Sequence, residues 1–194
     1  MAAVTRVVAF LAVAACSTSA GPPPRATHSD GVAPASSAPA ALDAASGDHV
    51  MIEQIQDLVR FLSRDPLTFD DVVARVGPVT DDPGVPQSAS LRPTALKGVR
   101  AVRLARYPRN GLPYTLTLDL ADGAGPTAAA LKAAFGEYDR ARTDRGHPPT
   151  LMFPPVRAAH WQVVVMADLP IEALRAPSLD DAAATRIEFR RDPL

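Results

Sequence analysis

The sequence is short of several residue types, and each shortage removes a class of function. It has one cysteine, one tryptophan and few aromatic side chains of any kind. A single cysteine rules out an intrachain disulfide and a metal site of paired thiolates. No sign of charge dominates: the formal net charge is −1, whereas a general nucleic-acid binder is normally strongly basic. No segment is apolar for long enough to span a bilayer. The clearest apolar run, Val7–Ala14, covers about 12 Å as a helix, against the roughly 20 residues a crossing requires. There is no Gly-x-Ser-x-Gly elbow, no His-x-x-x-His pair and no phosphate-cradling glycine loop. No metal and no cofactor are therefore expected.

What is present begins with an address. Arg6 and the amino terminus precede the apolar run, and small residues follow it, the composition of a secretory signal. The run ends in Val13-Ala14-Ala15-Cys16, which resembles the lipobox of bacterial lipoproteins. The resemblance implies removal of residues 1–15 and lipidation of Cys16, palmitate included. Several buried acyl chains, at roughly 0.8 kcal/mol per methylene, would hold the chain on a membrane. Ser17 in place of Asp implies the outer membrane, with the protein facing the periplasm. An ordinary secretory signal cut near Ser19-Ala20 is the competing reading.

Residues 16–47 are rich in Ser, Ala, Pro and Gly, and offer too little apolar surface to offset chain entropy. They are expected to form a tether carrying one α+β domain, 48–194. Ile52, Ile55, Leu58, Val59 and Leu62 recur at helical spacing and predict a helix over 49–63, with Asp48 as its N-cap. Thr68 and Asp71 predict a capped second helix, which Gly77-Pro78 stops. Strands are expected over 99–107 and 113–120, joined by an Asn110-Gly111 hairpin. Others are expected over 160–168, over 186–190 with Ile187 and Phe189 inward, and near Leu151–Phe153.

Thr68…Val72…Val76-Gly77 is echoed by Thr127…Leu131…Phe135-Gly136, 59 residues later. An aromatic then opens an apolar strand in each half, at Tyr114 and at Trp161. These echoes suggest two duplicated helix–strand units, 48–121 and 122–194, with coincidence as the alternative. The expected fold class is α+β, an antiparallel sheet with helices on one face. The order of elements resembles the tandem β-lactamase-inhibitor-protein-like fold, on Thr68, Gly77, Thr127 and Gly136. No functional residue carries over from that resemblance.

Charge is laid out unevenly. No acid occurs between Pro83 and Leu118, where Arg92, Lys97, Arg100, Arg103, Arg106 and Arg109 fall. Lys97, Arg100, Arg103, Arg106 and Arg109 form a candidate patch for an anionic partner. Alternatively, the acidic stretch 65–82 neutralises them, or they guard an edge strand. The leading expectation is a lipid-anchored, non-enzymatic module that binds an envelope protein. The alternatives are an enzyme with acid/base groups at His160, Asp70-Asp71 or Asp81-Asp82, and a binder of lipid or anions.

Overall fold

The computed structural model describes residues 40–141 and 147–194. The signal 1–15, Cys16 and most of the expected tether lie outside the described residues.

Helix α1 runs from Ala40 to Leu62, so it starts well before the expected boundary. Residues 40–47 are helical rather than tether, because Ala-rich sequence extends an existing helix at little cost. Asp48 is therefore not an N-cap. It lies inside α1, and its carboxylate accepts a hydrogen bond of 3.0 Å from the Thr127 hydroxyl. Of the apolar stripe, Ile55, Leu58, Val59 and Leu62 are buried and Ile52 is partly buried, while Met51, outside the stripe, is buried as well.

Helix α2 (Phe69–Val76) opens on a complete capping box. Asp71 N–H donates to the Thr68 hydroxyl at 3.2 Å, and Thr68 N–H donates to the Asp71 carboxylate at 2.8 Å. Helix α3 (Ala128–Phe135) repeats the first half of this device, with Ala130 N–H donating to the Thr127 hydroxyl at 3.2 Å. Both helices stop at a glycine of positive φ, Gly77 at 146° and Gly136 at 94°. The two echoed segments thus fold alike. Helix α1 packs against α3 and against the sheet.

Among the described residues, nine strands form one antiparallel sheet. The first half contributes β1 (Val79–Asp81), β2 (Ala89–Leu91), β3 (Val99–Arg106) and β4 (Pro113–Leu120). The second half contributes β5 (Asp139–Arg140), β6 (Thr150–Met152), β7 (Val156–Arg157), β8 (Trp161–Asp168) and β9 (Arg186–Pro193). The order across the sheet is β1-β2-β3-β4-β9-β8-β6-β5, with β7 paired to β8 beside β6. Two helices precede the first set of strands and one precedes the second, and the two sets meet through their last strands, β4 and β9. By place in the sheet, β4 and β9 are the two central neighbours, and β3 and β8 (the Trp161 strand) flank them.

At the seam Leu118 opposes Ile187 and Leu116 opposes Phe189, all four buried. With Val102, Leu104, Val163, Val165 and Leu151 they face the helices, at about 1.5–3 kcal/mol for each large side chain buried. The other face of the sheet is polar. Asp119 there bonds Arg103 at 3.2 Å and Arg186 at 2.7 Å, and Arg190 bonds Asp192 at 2.9 Å.

Candidate functional site

Alternation along β9 turns residues 187, 189 and 191 toward the core, so an arginine occupies a core-facing position. Arg191 is 1% exposed. Its Nε donates to the Leu62 carbonyl at 2.9 Å and its Nη2 to the Arg64 carbonyl at 3.0 Å. Leu62 ends α1, where carbonyls lack intrahelical donors, and Arg191 supplies one from across the sheet. The guanidinium also lies 3.4 Å from the centre of the Trp161 ring. Burial pulls the Arg191 pKa below its ordinary value, with Asp65 and Tyr107 opposing the shift.

Trp161 and Pro193 are register partners at one end of the sheet. The β3–β4 turn comes to the same end. There Tyr107 N–H donates to the Leu112 carbonyl and Leu112 N–H to the Asn110 side chain, with Gly111 at a φ of 68°. The Tyr107 hydroxyl donates to the Arg191 carbonyl at 2.8 Å, which ties the turn to β9. Burial is the main reason its pKa is raised. Tyr107 and Tyr114 pack at 4.7 Å between ring centres.

Tyr107, Pro108, Arg109, Asn110, Trp161 and Pro193 together line a concavity of about 420 Å³. Aromatic rings and prolines give it an apolar lining, and Arg109 sets one cation at its mouth. Arg191 does not line it; the guanidinium holds Trp161 from the protein side. Beside Trp161, His160 Nδ1 lies 2.7 Å from the Asp65 carboxylate. The bond from His160 is the largest cause that holds the Asp65 carboxyl below its usual value, and burial opposes it. The arrangement can stack on and bury an apolar group while offering an adjacent positive charge.

The five residues of the basic patch do not converge. Arg103 sits on the polar face of the sheet with Asp119, and Arg100 lines the same shallow depression. Arg106 pairs with Asp82 and stacks on Phe69 at 4.5 Å, toward α2. Lys97 lies in a loop whose backbone bonds Gln54 of α1, and only Arg109 reaches the aromatic concavity. Two of the four carboxylates named as acid/base candidates have other partners. Asp71 bonds Thr68, and Asp82 bonds Arg106 and the Gly84 N–H. Among the described residues no group of three or more His, Cys, Asp and Glu side chains could hold a metal, and no helix is long and apolar enough to cross a membrane.

Sequence reasoning missed Tyr107, Arg191 and Pro193 as site residues. Tyr107 and Pro193 sit at strand ends and Arg191 in a charged tail, so local pattern carried no signal for them. No protein-family model matches this chain, and neither a curated protein nor a solved structure matches it.

Proposed function

We propose that this protein is a membrane-tethered binding module of the cell envelope, anchored by lipid on Cys16. Its recognition site for a protein partner is the concavity of Tyr107, Pro108, Arg109, Asn110, Trp161 and Pro193. The observation that carries this reading is the braced tryptophan. A buried arginine holds Trp161 rigid, while its neighbours leave a concavity of about 420 Å³ open beside it. Trp, Tyr and Arg are the residue types that contribute most to protein interfaces, and rigid aromatic anchors lose little entropy on binding. Arg109 favours a partner segment that presents an apolar side chain next to an acid. The anchor is supported by Val13-Ala14-Ala15-Cys16 and the short apolar run before it.

A photo-reactive residue placed at Asn110 in cells should give a discrete adduct with one envelope protein. The adduct should fade when Arg109→Glu or Pro193→Ser is added. The proposal fails if the adduct pattern matches that from a probe at exposed Glu172, or if both substitutions leave it unchanged.

A further inference from the structure

A second concavity lies away from the aromatic one, between the C-terminal ends of α1 and α2. Asp57, Arg60, Phe61, Arg64 and Arg75 line about 460 Å³ of space there. Arg60 is in the last turn of α1, Arg64 lies two residues beyond the end of that helix, and Arg75 is in the last turn of α2. Three arginines thus line one depression with a single acidic residue, and Asp57 is already paired with Arg60. Arg64 packs over the Phe61 ring at 5.2 Å. Among the described residues, neither Arg64 nor Arg75 has a carboxylate within ion-pair distance. The bonds from Thr68 are the largest cause that holds the Asp71 carboxyl below its usual value, and the charge of Arg64 adds a smaller one.

The backbone beneath these arginines is fixed. Arg64 N–H donates to the Phe61 carbonyl at 3.2 Å, and the Arg64 carbonyl accepts from buried Arg191 at 3.0 Å. The helix ends account for part of the arrangement, since cations are favoured near helix C-termini. They do not account for two arginines without an ion-pair partner lining one concavity. A negatively charged group with several acceptor oxygens matches that excess, and planar guanidinium forks bind such oxygens in pairs.

We propose that this depression binds the phosphate group of an anionic ligand, with Arg64 and Arg75 as its principal donors and Arg60 beside them. The site goes beyond the aromatic concavity and does not depend on it. Inorganic phosphate and anionic phospholipid carry the same chemistry from different sources.

The test uses the full chain with Cys16→Ser, so that no lipid attaches. One arm titrates inorganic phosphate by calorimetry at low salt. The other measures co-sedimentation with phosphatidylcholine vesicles, with and without phosphatidylglycerol. Binding in either arm should weaken about tenfold for each of Arg64→Gln and Arg75→Gln, and should fall as salt rises. Lys97→Gln should leave it unchanged. Binding of free phosphate assigns a soluble ligand, and binding only to phosphatidylglycerol vesicles assigns a lipid headgroup. No binding in either arm, or binding by the double variant equal to that of the parent, overturns the proposal. Arg75→Gln alone, on an exposed helical position, keeps the comparison available if the double variant loses stability.

Discussion

The guanidinium of Arg191 lies 3.4 Å from the centre of the Trp161 ring, and that contact joins the core of the protein to its candidate recognition site. Arg191 also donates to the Leu62 and Arg64 carbonyls, so one side chain caps α1, braces the tryptophan and fixes the loop after the helix.

Arg191→Leu places an apolar residue at this buried position of β9. It removes an unpaired buried charge but leaves two carbonyls without donors, each at about 1–3 kcal/mol. The carbonyls outweigh the relieved charge, and the variant should lose about 2 kcal/mol in chemical denaturation. Trp161 is the only tryptophan, so its fluorescence in the native state should change as well. A variant as stable as the parent would show that the arginine is not needed for the fold. Arg191→Lys should not rescue, because an ammonium lacks the planar fork that spans both carbonyls and stacks on indole.

The two helix caps predict a graded pair. Thr68→Ala removes one member of a reciprocal capping box and should cost about 1–2 kcal/mol. Thr127→Ala removes a cap and the bond to Asp48, which joins α3 to α1, and should cost a similar amount. Asp48→Asn keeps an acceptor for the Thr127 hydroxyl and should cost less than Asp48→Ala. Equal losses for the two Asp48 variants would mean that the Thr127 bond contributes nothing.

Gly125 passes so close to Ala184 that a Cβ would sit 1.7 Å from the Ala184 carbonyl oxygen. Gly125→Ala should therefore destabilise by about 3 kcal/mol, because backbone must move. Gly84→Ala, where nothing lies within 4 Å of the added atom, should cost only the strain of its φ of 80°, about 1 kcal/mol. Thermal unfolding of the two variants distinguishes packing from backbone strain.

Glu188 is half-buried on the polar face of the sheet, and burial, followed by the charge of Asp168, raises its carboxyl above the ordinary 4.5. In the window above 4.5 the folded state holds more protons at this site than the unfolded state. Stability contributed by Glu188 is therefore complete below that value and declines as pH rises through the raised folded value. Glu188→Gln should accordingly be more stable than the parent at neutral pH, with the difference closing as pH falls toward 4.5. Denaturation curves at several pH values check it; a constant difference across the range would contradict the burial argument.

Cys16 carries a prediction of its own. The full chain expressed in a bacterium that processes lipoproteins should incorporate labelled palmitate and fractionate with membranes, and Cys16→Ser should do neither. Label retained by Cys16→Ser would remove the anchor from the proposed function.

The elements written into local chemistry were legible. Thr68 with Asp71, and Thr127 with Gly136, specify helix ends because a cap is satisfied within a few residues of itself. Asn110-Gly111 specifies the β3–β4 turn, because few residues tolerate positive φ there. The burial of Ile187 and Phe189 follows from alternation alone. The start of α1 was misplaced because Ala40–Gly47 has no apolar stripe, although alanine extends a helix well. Strands β1, β5 and β7, two or three residues long, are too short for any period to show.

The sequence by itself determined the fold class, two capped helices and the long strands with their buried faces, because each is specified within a few residues. Only the tertiary structure decided that β4 and β9 meet at the centre of the sheet, since partner choice depends on surfaces that exist once both sets of strands have formed. It also decided that Arg191 is buried. The carbonyls it satisfies lie more than a hundred residues away in the chain, and no local pattern encodes a partner at that separation. The concavity beside Trp161 follows from the same fact: its walls come from three strand ends that only the folded sheet brings together.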